Sequence, residues 1–286
     1  MSKIFIDTNI FLNYYGSNNY DDLQLVVEEI RKNYEKFVFP NQVLDEYRRN
    51  RCKKITEYNS NHFKNLSVCK PNFFSIDADV EEFNRLTIEY NKSYKIIEKK
   101  ITNLIEKPEN DIIYSLVNEM YNSEKVLKID TTSLTLIEKA KNRFYFGNPP
   151  GSSSKTCCDE LIWESLLTID DDLIIVTKDN KAYKDNNNEI FLRNEYKQKT
   201  HRKLFPIQNK IMDAFTLIGN KPDKKAKKAE NDIIANNKKF EKEFSDIYKE
   251  FIYDSNGNEF QFCMRCRRHT IRNGVICTSC GCIDCE

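Results

Sequence analysis

Short apolar runs punctuate this chain, separated by longer stretches in which apolar residues recur every three or four positions. The runs are Ile4 to Ile6, Phe37 to Phe39 and Leu173 to Thr177. Apolar residues without alternation suit strands buried on both faces, as at the centre of a parallel sheet. Ile10 to Tyr15 and Leu23 to Tyr34 read as helices, the second with Leu23, Val26, Val27 and Ile30 as one apolar stripe. Pro40 ends the second strand, and Asn41 can cap a helix that carries Val43, Leu44 and Tyr47 inward. Residues 58–143 read as a mostly helical insertion without a chemical motif, clearest over Glu81 to Asn103 and Asn110 to Tyr121. Phe144 to Thr156, with two prolines, two glycines and three serines, reads as a loop. Asp159 opens an apolar helix, and Asp170 to Asp172 form a turn before the third run. Ile190 to Leu192 is expected to be a strand, Asn194 to Lys199 a helix, Leu204 and Phe205 a last strand, and Ile207 to Ile218 a last helix. Strands alternating with helices predict an α/β fold with a parallel sheet.

Composition adds limits. Net charge is +1, so no global field marks a polyanionic partner, and any nucleic-acid surface must be a local patch. No apolar stretch approaches membrane-spanning length and the N-terminus has no signal-peptide pattern, so a cytoplasmic protein with no membrane partner is expected. After residue 220 the chain turns strongly charged and lysine-rich, with a thin apolar stripe of Ile233, Ile234, Phe240, Phe244 and Ile247. Residues 1–220 are accordingly read as the sheet domain, 221–259 as a charged helical connector and 260–286 as a separate module.

Four acids hold the candidate chemistry. Asp7 ends the first strand, Glu46 lies one turn into the helix after the second, Asp159 opens its helix, and Asp179 follows the third apolar run. In a parallel sheet such positions converge on the carboxyl edge, where ligands bind. Taken singly, each is better read as a helix cap or surface acid. Together, carboxylates so placed repel one another unless a cation compensates. Hard oxygen ligands select Mg²⁺ or Mn²⁺, and such a site suits phosphodiester cleavage. Thr8, Asn9 and Thr177 can orient the carboxylates or waters. Beyond Glu46, the basic run Arg48, Arg49, Arg51, Lys53 and Lys54 holds no acid; it is either a solvated face or a phosphate contact.

The stretches I-F-I-D-T-N, P-N-Q-V-L-D-E-Y-R-R-N-R, P-P-G followed by D-E-L-I-W, and I-I-V-T-K-D resemble PIN domains. They are most similar to the bacterial PIN-like subgroup with a helical insertion and a proline-proline-glycine loop. The resemblance covers residues 3 to 218. It implies a parallel sheet flanked by helices and metal-dependent endoribonuclease activity, with Asp7, Glu46, Asp159 and Asp179 as the four acids in order. Asp45 adjoins Glu46, but the motif alignment favours Glu46. Two departures concern the rim of the site. Asn180 to Tyr183 stand where the subgroup often has a Trp, and Ser152 to Ser154 where an acid often follows the glycine.

Six of the ten cysteines lie between Cys263 and Cys285. Cys263-x-x-Cys266 and Cys277-x-x-Cys280 are paired knuckles that hold Zn²⁺ through four thiolates and resemble a zinc ribbon. Cys282 and Cys285 offer alternative pairs, and His269 is a possible substitute ligand. Arg265, Arg267, Arg268 and Arg272 give the module either a contact role with nucleic acid or protein, or a purely structural one. Cys52, Cys69, Cys157 and Cys158 have no metal spacing and read as buried or incidental thiols. The sequence thus leads to a Mg²⁺- or Mn²⁺-dependent nuclease acting on RNA, with a zinc ribbon and a possible protein partner at the insertion, connector or ribbon. A non-catalytic RNA- or protein-binding adaptor of the same parts is the alternative, and a DNA nuclease a third reading.

Overall fold

A computed structural model of the chain describes residues 2–17, 19–62, 66, 78–151, 156–237, 260–263, 268–273 and 276–277. Two compact units divide it, residues 1–233 and 234–286. In the first, four strands form one parallel sheet: β1 (Ser2–Ile6), β2 (Phe37–Pro40), β3 (Leu127–Ile129) and β4 (Asp172–Val176), in the order β3-β2-β1-β4. The unbroken apolar runs become its centre. Ile4 and Phe5 of β1 and Leu173 to Val176 of β4 are fully buried, in the register Ile4 to Ile174 and Phe5 to Ile175. The chain steps outward from β1 through β2 to β3, then returns to the other side of β1 for β4. That reversal makes the carboxyl ends of β1 and β4 the switch point of the sheet, where such folds open a crevice.

The flanking helices include α1 (Thr8–Asn13), α2 (Tyr20–Lys32), α3 (Asn41–His62), α4 (Ala78–Glu106), α5 (Ile112–Asn122), α6 (Leu134–Tyr145), α7 (Cys158–Leu166), α8 (Asn186–Thr200) and α9 (Ile211–Leu217). Leu23, Val26, Val27 and Ile30 of α2 pack into the core as their spacing predicts. Asn19 caps α2, and Asp111 caps α5 by accepting from the Ile113 and Tyr114 amides at 2.9 and 3.2 Å. α6 ends on Gly147 at φ 64°, with the Gly147 and Asn148 amides returning to the carbonyls of Phe144 and Arg143. This closure needs the left-handed backbone that glycine adopts without strain.

Several expectations change. The interval 58–143 is not all insertion: it supplies β3 to the sheet, and α5 sends Leu116, Val117 and Met120 into the core. Ile190 to Leu192 is no strand but part of α8. Ile190 and Phe191 are exposed while Leu192 and Tyr196 are fully buried, which is helical spacing. The last helix begins only at Ile211, because residues 203–208 run extended beside β4, with Leu173 to Lys203 and Gln208 to Ile175 amide-to-carbonyl bonds of 2.9 Å each. The segment from 221 is not simply a connector. Residues 224–237 are helical (α10), and Ala226, Ala229 and Ile233 join the core. Its Glu230 accepts from the Ile211 and Met212 amides at the start of α9.

In the second unit, β5 (Phe260–Cys263), β6 (Arg268–Asn273) and β7 (Ile276–Cys277) form an antiparallel sheet. Cys263 ends β5 and Cys277 ends β7. Cys266, Cys280, Cys282, Cys285, Arg265 and Arg267 lie outside the described residues. Among the described residues no helix is long and apolar enough to cross a membrane.

Candidate active site

Asp7 leaves β1 at the switch point. Its amide still pairs with the Val176 carbonyl at 2.9 Å, so the sheet continues through it and its carboxylate is buried, 7% exposed. Two short bonds orient that carboxylate, from Thr177 Oγ1 at 2.5 Å and Asn9 Nδ2 at 2.6 Å, both to Oδ2. Thr177 also accepts from Asn9 Nδ2 at 3.1 Å and from the Asp179 amide at 3.0 Å. With both acceptor sites taken, the Thr177 proton is directed at Asp7. Asn9 in turn accepts from the Lys178 amide at 3.0 Å. β1 and β4 are thus cross-linked through side chains at the point where the backbones diverge.

The other acids gather around this point. Glu46, one turn into α3, accepts from Thr8 Oγ1 at 3.1 Å. Asp159, in the first turn of α7, lines a cavity of about 530 Å³ together with Glu46, Arg49, Gln42 and Cys158. Asp179 caps the short π-helix Asn180–Lys184, accepting from the Ala182 amide at 2.9 Å. Electrostatics link all four. Burial, then Glu46 and Asp159, raise the Asp7 pKa from 3.8 to about 7, against the bonds from Thr177 and Asn9. Burial and then Asp159 raise Glu46, with Thr8 and Arg49 acting the other way. The buried phenol of Tyr183 feels Asp159, Asp7, Glu46 and Asp179 together, which, after burial, raise its pKa further.

Not every predicted residue joins them. Arg49 is exposed at the cavity and Arg48 is exposed beside Asn118, 3.2 Å from its Oδ1. Arg51 is a correction. It is 3% exposed, with Nε 2.8 Å from Asp111 and 3.1 Å from Tyr15, and Nη2 on the Leu104 carbonyl at 2.8 Å. It binds α3 to α4 and α5 and presents nothing to phosphate. Its place follows from helical spacing: Tyr47 points inward, and Arg51 is one turn later on the same stripe. Cys52 is exposed, not buried, and Cys69 lies outside the described residues.

Sequence reasoning missed three participants. Tyr183, noted only as standing in the Trp position, is the buried ring beneath the acids. Arg143 clamps the Pro149–Pro150–Gly151 loop to α7: its guanidinium donates to the Pro149 carbonyl at 2.6 Å, Glu164 at 2.8 Å and Glu195 at 2.6 Å. Trp163 Nε1 completes the clamp on Glu195 at 2.8 Å. Its partners are far apart in sequence, so no local signal announces it. Glu160, next to Asp159, is buried with neither carboxylate oxygen hydrogen-bonded to another residue; burial raises its pKa, helped by Asp159 and opposed by its own amide and by Arg143.

Comparison with known families finds a match to the PIN domain over residues 4–183. The chain belongs to the PIN domain family. The matched span contains all four acids of this PIN domain. No curated protein and no solved structure gives a significant match to the chain.

The donor set suits a hard cation. Carboxylate oxygens select magnesium or manganese, and burial first, then neighbouring acids, raise the pKa values of Asp7 and Glu46. Among the described residues no three carboxylate, thiol or imidazole groups stand together closely enough to hold a metal ion. Magnesium commonly needs only one or two carboxylates, its other positions going to water and phosphate oxygens. Glu46 and Asp159 on one cavity wall meet that requirement in kind.

Proposed function

We propose that this PIN domain is a Mg²⁺- or Mn²⁺-dependent endonuclease acting on RNA. The observation that supports it is the carboxylate set at the switch point, where burial and mutual repulsion hold Asp7 at a pKa of about 7. A stable fold has no use for such a cluster unless a ligand supplies positive charge. Of the four acids, Glu46 and Asp159 would hold the cation, with Asp7 and Asp179 adding negative charge to the site, and the cation when bound supplies electrostatic stabilisation to the phosphate undergoing cleavage. Thr177 and Asn9 fix the Asp7 carboxylate in one orientation, and Thr8 does the same for Glu46. Arg49, at the cavity rim, is placed to meet a neighbouring phosphate. The Arg143 clamp keeps the loop before α7, and hence Asp159, in register with the sheet.

Zinc at Cys263, Cys266, Cys277 and Cys280 is the companion proposal for the second unit. Four thiolates would fill the tetrahedral shell and make the role structural. The deciding experiment is cleavage of RNA and DNA with added magnesium or manganese, wild type beside Asp7→Asn, with zinc content measured in both. Metal-dependent RNA cleavage lost in the variant supports the reading. Cleavage of neither polymer by a folded wild type that still binds RNA would make the protein an adaptor.

A further inference from the structure

A second cavity, of about 550 Å³, lies at the amino end of β4, away from the acids. Ile190, Arg193 and Lys197 of α8 line one wall, and His201, Arg202 and Lys203 another. Positions 190, 193 and 197 follow helical spacing, so one face of α8 turns Arg193 and Lys197 into a single space, which His201 to Lys203 border just past its end. Few of these charges are used elsewhere. Arg202 pairs with Asp170 at 2.9 Å, and Asp172 at the cavity wall accepts from the Lys203 amide at 2.8 Å. Among the described residues Arg193, Lys197 and Lys203 form no ion pair, although Lys203 Nζ lies 4.4 Å from the Phe205 ring centre. The two acids of α8 are engaged elsewhere. Glu195 is bound by Arg143, Trp163 and Lys199, and Glu189 accepts from the Ile207 amide.

The character of these cations selects the ligand. All are exposed, so each keeps much of its water, whereas a small-molecule pocket buries most of its ligand. Solvated cations strung along a helix suit a polyelectrolyte instead, because each phosphate neutralised releases condensed counterions without requiring burial. α8 also connects the two sites. Asp179 precedes it by one short turn, and near its far end Tyr196 donates to the Asp171 carbonyl at 2.8 Å, beside the start of β4. Its 15 residues span about 22 Å. We infer that the cationic face of α8 is a second phosphate-binding site for an RNA strand, gripping it about one helix length from the acids. The choice of RNA rests on the reading of the acid site given above.

The test is a combined variant, Arg193→Gln, Lys197→Gln and Lys203→Gln, whose exposed positions leave the core untouched; a thermal melt confirms folding. Binding of a labelled single-stranded RNA is measured without divalent cation across a salt series. Three lost contacts should lower the slope of log K against log salt by about 2, and weaken binding roughly tenfold or more near physiological salt. The matching variant Arg193→Lys, Lys197→Arg and Lys203→Arg should bind as wild type does. Cleavage of an oligonucleotide too short to reach α8 should be unchanged, while a long RNA should show a raised KM. Unchanged affinity and salt slope would overturn the assignment. So would displacement of the strand by inorganic phosphate as readily as by competitor RNA, since the cavity would then be a small-anion pocket. Wild-type cleavage with an indifferent triple variant sinks this site alone. Variant-sensitive binding without any cleavage sinks the nuclease alone.

Discussion

Glu46 and Arg51 lie on the same helix, α3, and it carries them into opposite electrostatic surroundings. Arg51 is enclosed with Asp111, 2.8 Å away, and with the Tyr15 hydroxyl, which also donates to Asp111 and meets Tyr47 at 2.6 Å. Burial works against its charge, yet Tyr15 and Asp111 more than restore it and its pKa is raised. Every member has a partner inside the protein. Around Glu46, Asp7 accepts from the Thr177 hydroxyl and the Asn9 amide, Glu46 accepts from Thr8 with the Arg49 charge nearby, and burial and then neighbouring acids raise both pKa values. Both clusters are costly to bury. The difference is in the charges that meet: the first sets a cation against an anion, so it is a strut, while the second sets acids beside one another, which is the arrangement the proposed cation would relieve.

The largest expected effect breaks the second cluster. Asp7→Asn keeps an acceptor for Thr177 and removes the charge that the cation would meet. RNA cleavage should fall on the order of 10³-fold, because charge stabilisation by a bound ion is worth several kcal/mol. Single-turnover cleavage with saturating manganese measures it. Activity within tenfold of wild type would mean that the acids are not a cation site.

Breaking the strut should act on stability. Arg51→Met leaves Asp111 buried without its partner and should cost about 3–5 kcal/mol in urea unfolding. Arg51→Met with Asp111→Asn should recover part of that loss, since Asn still caps α5. A cost below about 1 kcal/mol would place Arg51 among ordinary surface pairs and erase the contrast.

The acid cluster makes the opposite prediction for the protein without divalent cation. The Asp7 pKa is raised from 3.8 to about 7 in the fold. Between these values the unfolded chain has released a proton that the folded chain retains, so stability falls as pH rises from about 4 to 7 and levels off above. Asp7→Asn should therefore stabilise the cation-free protein at pH 8, by about 2–4 kcal/mol, and leave it nearly unchanged at pH 4. Added manganese should raise the wild-type melting temperature at pH 8 and move the variant little. A variant less stable than wild type at pH 8 would show that the cluster is compensated from within.

This contrast explains what was legible in the sequence. β1 and β4 declared themselves because both faces are buried and apolar runs have few alternatives. β3 did not: Leu127 and Lys128 are exposed on a three-residue edge strand, so no burial pattern marks it. Ile190 and Phe191 carry the strand preference of β-branched and aromatic residues, yet on α8 solvent and not packing surrounds them, so that preference decides nothing. The places of Asp7, Glu46, Asp159 and Asp179 were legible because each sits at or near an element end that local pattern can locate. Arg51 stood in a basic run beside Arg48 and Arg49, and only distant Asp111 and Tyr15 distinguish it. Partners separated by many residues, such as Arg143 with Glu195, leave no trace in local periodicity.

Arg49 provides the smallest and sharpest test, because it belongs to neither pattern completely. It lies on α3 between Glu46 and Arg51, exposed at the cavity wall that Glu46 and Asp159 share, and its charge lowers the Glu46 pKa against burial. If the cluster draws its compensation from outside, Arg49 is only a rim contact for phosphate. Arg49→Gln should then reduce the salt slope of RNA binding by about 0.7, the value of one single-strand contact, and weaken binding a few-fold. Cleavage at saturating RNA should stay within about twofold, since the effect falls on association and not on the cation. Arg48→Gln should do less still, because its guanidinium is turned to Asn118. Arg49 is the last of the influences on the Glu46 pKa, so its loss should move the acid limb of the pH–rate profile only slightly; were Arg49 the main internal counter-charge, the limb would instead move far upward. A shifted limb with an unchanged salt slope would make Arg49 part of the cluster, and the acids would then be closer in kind to the strut on the same helix.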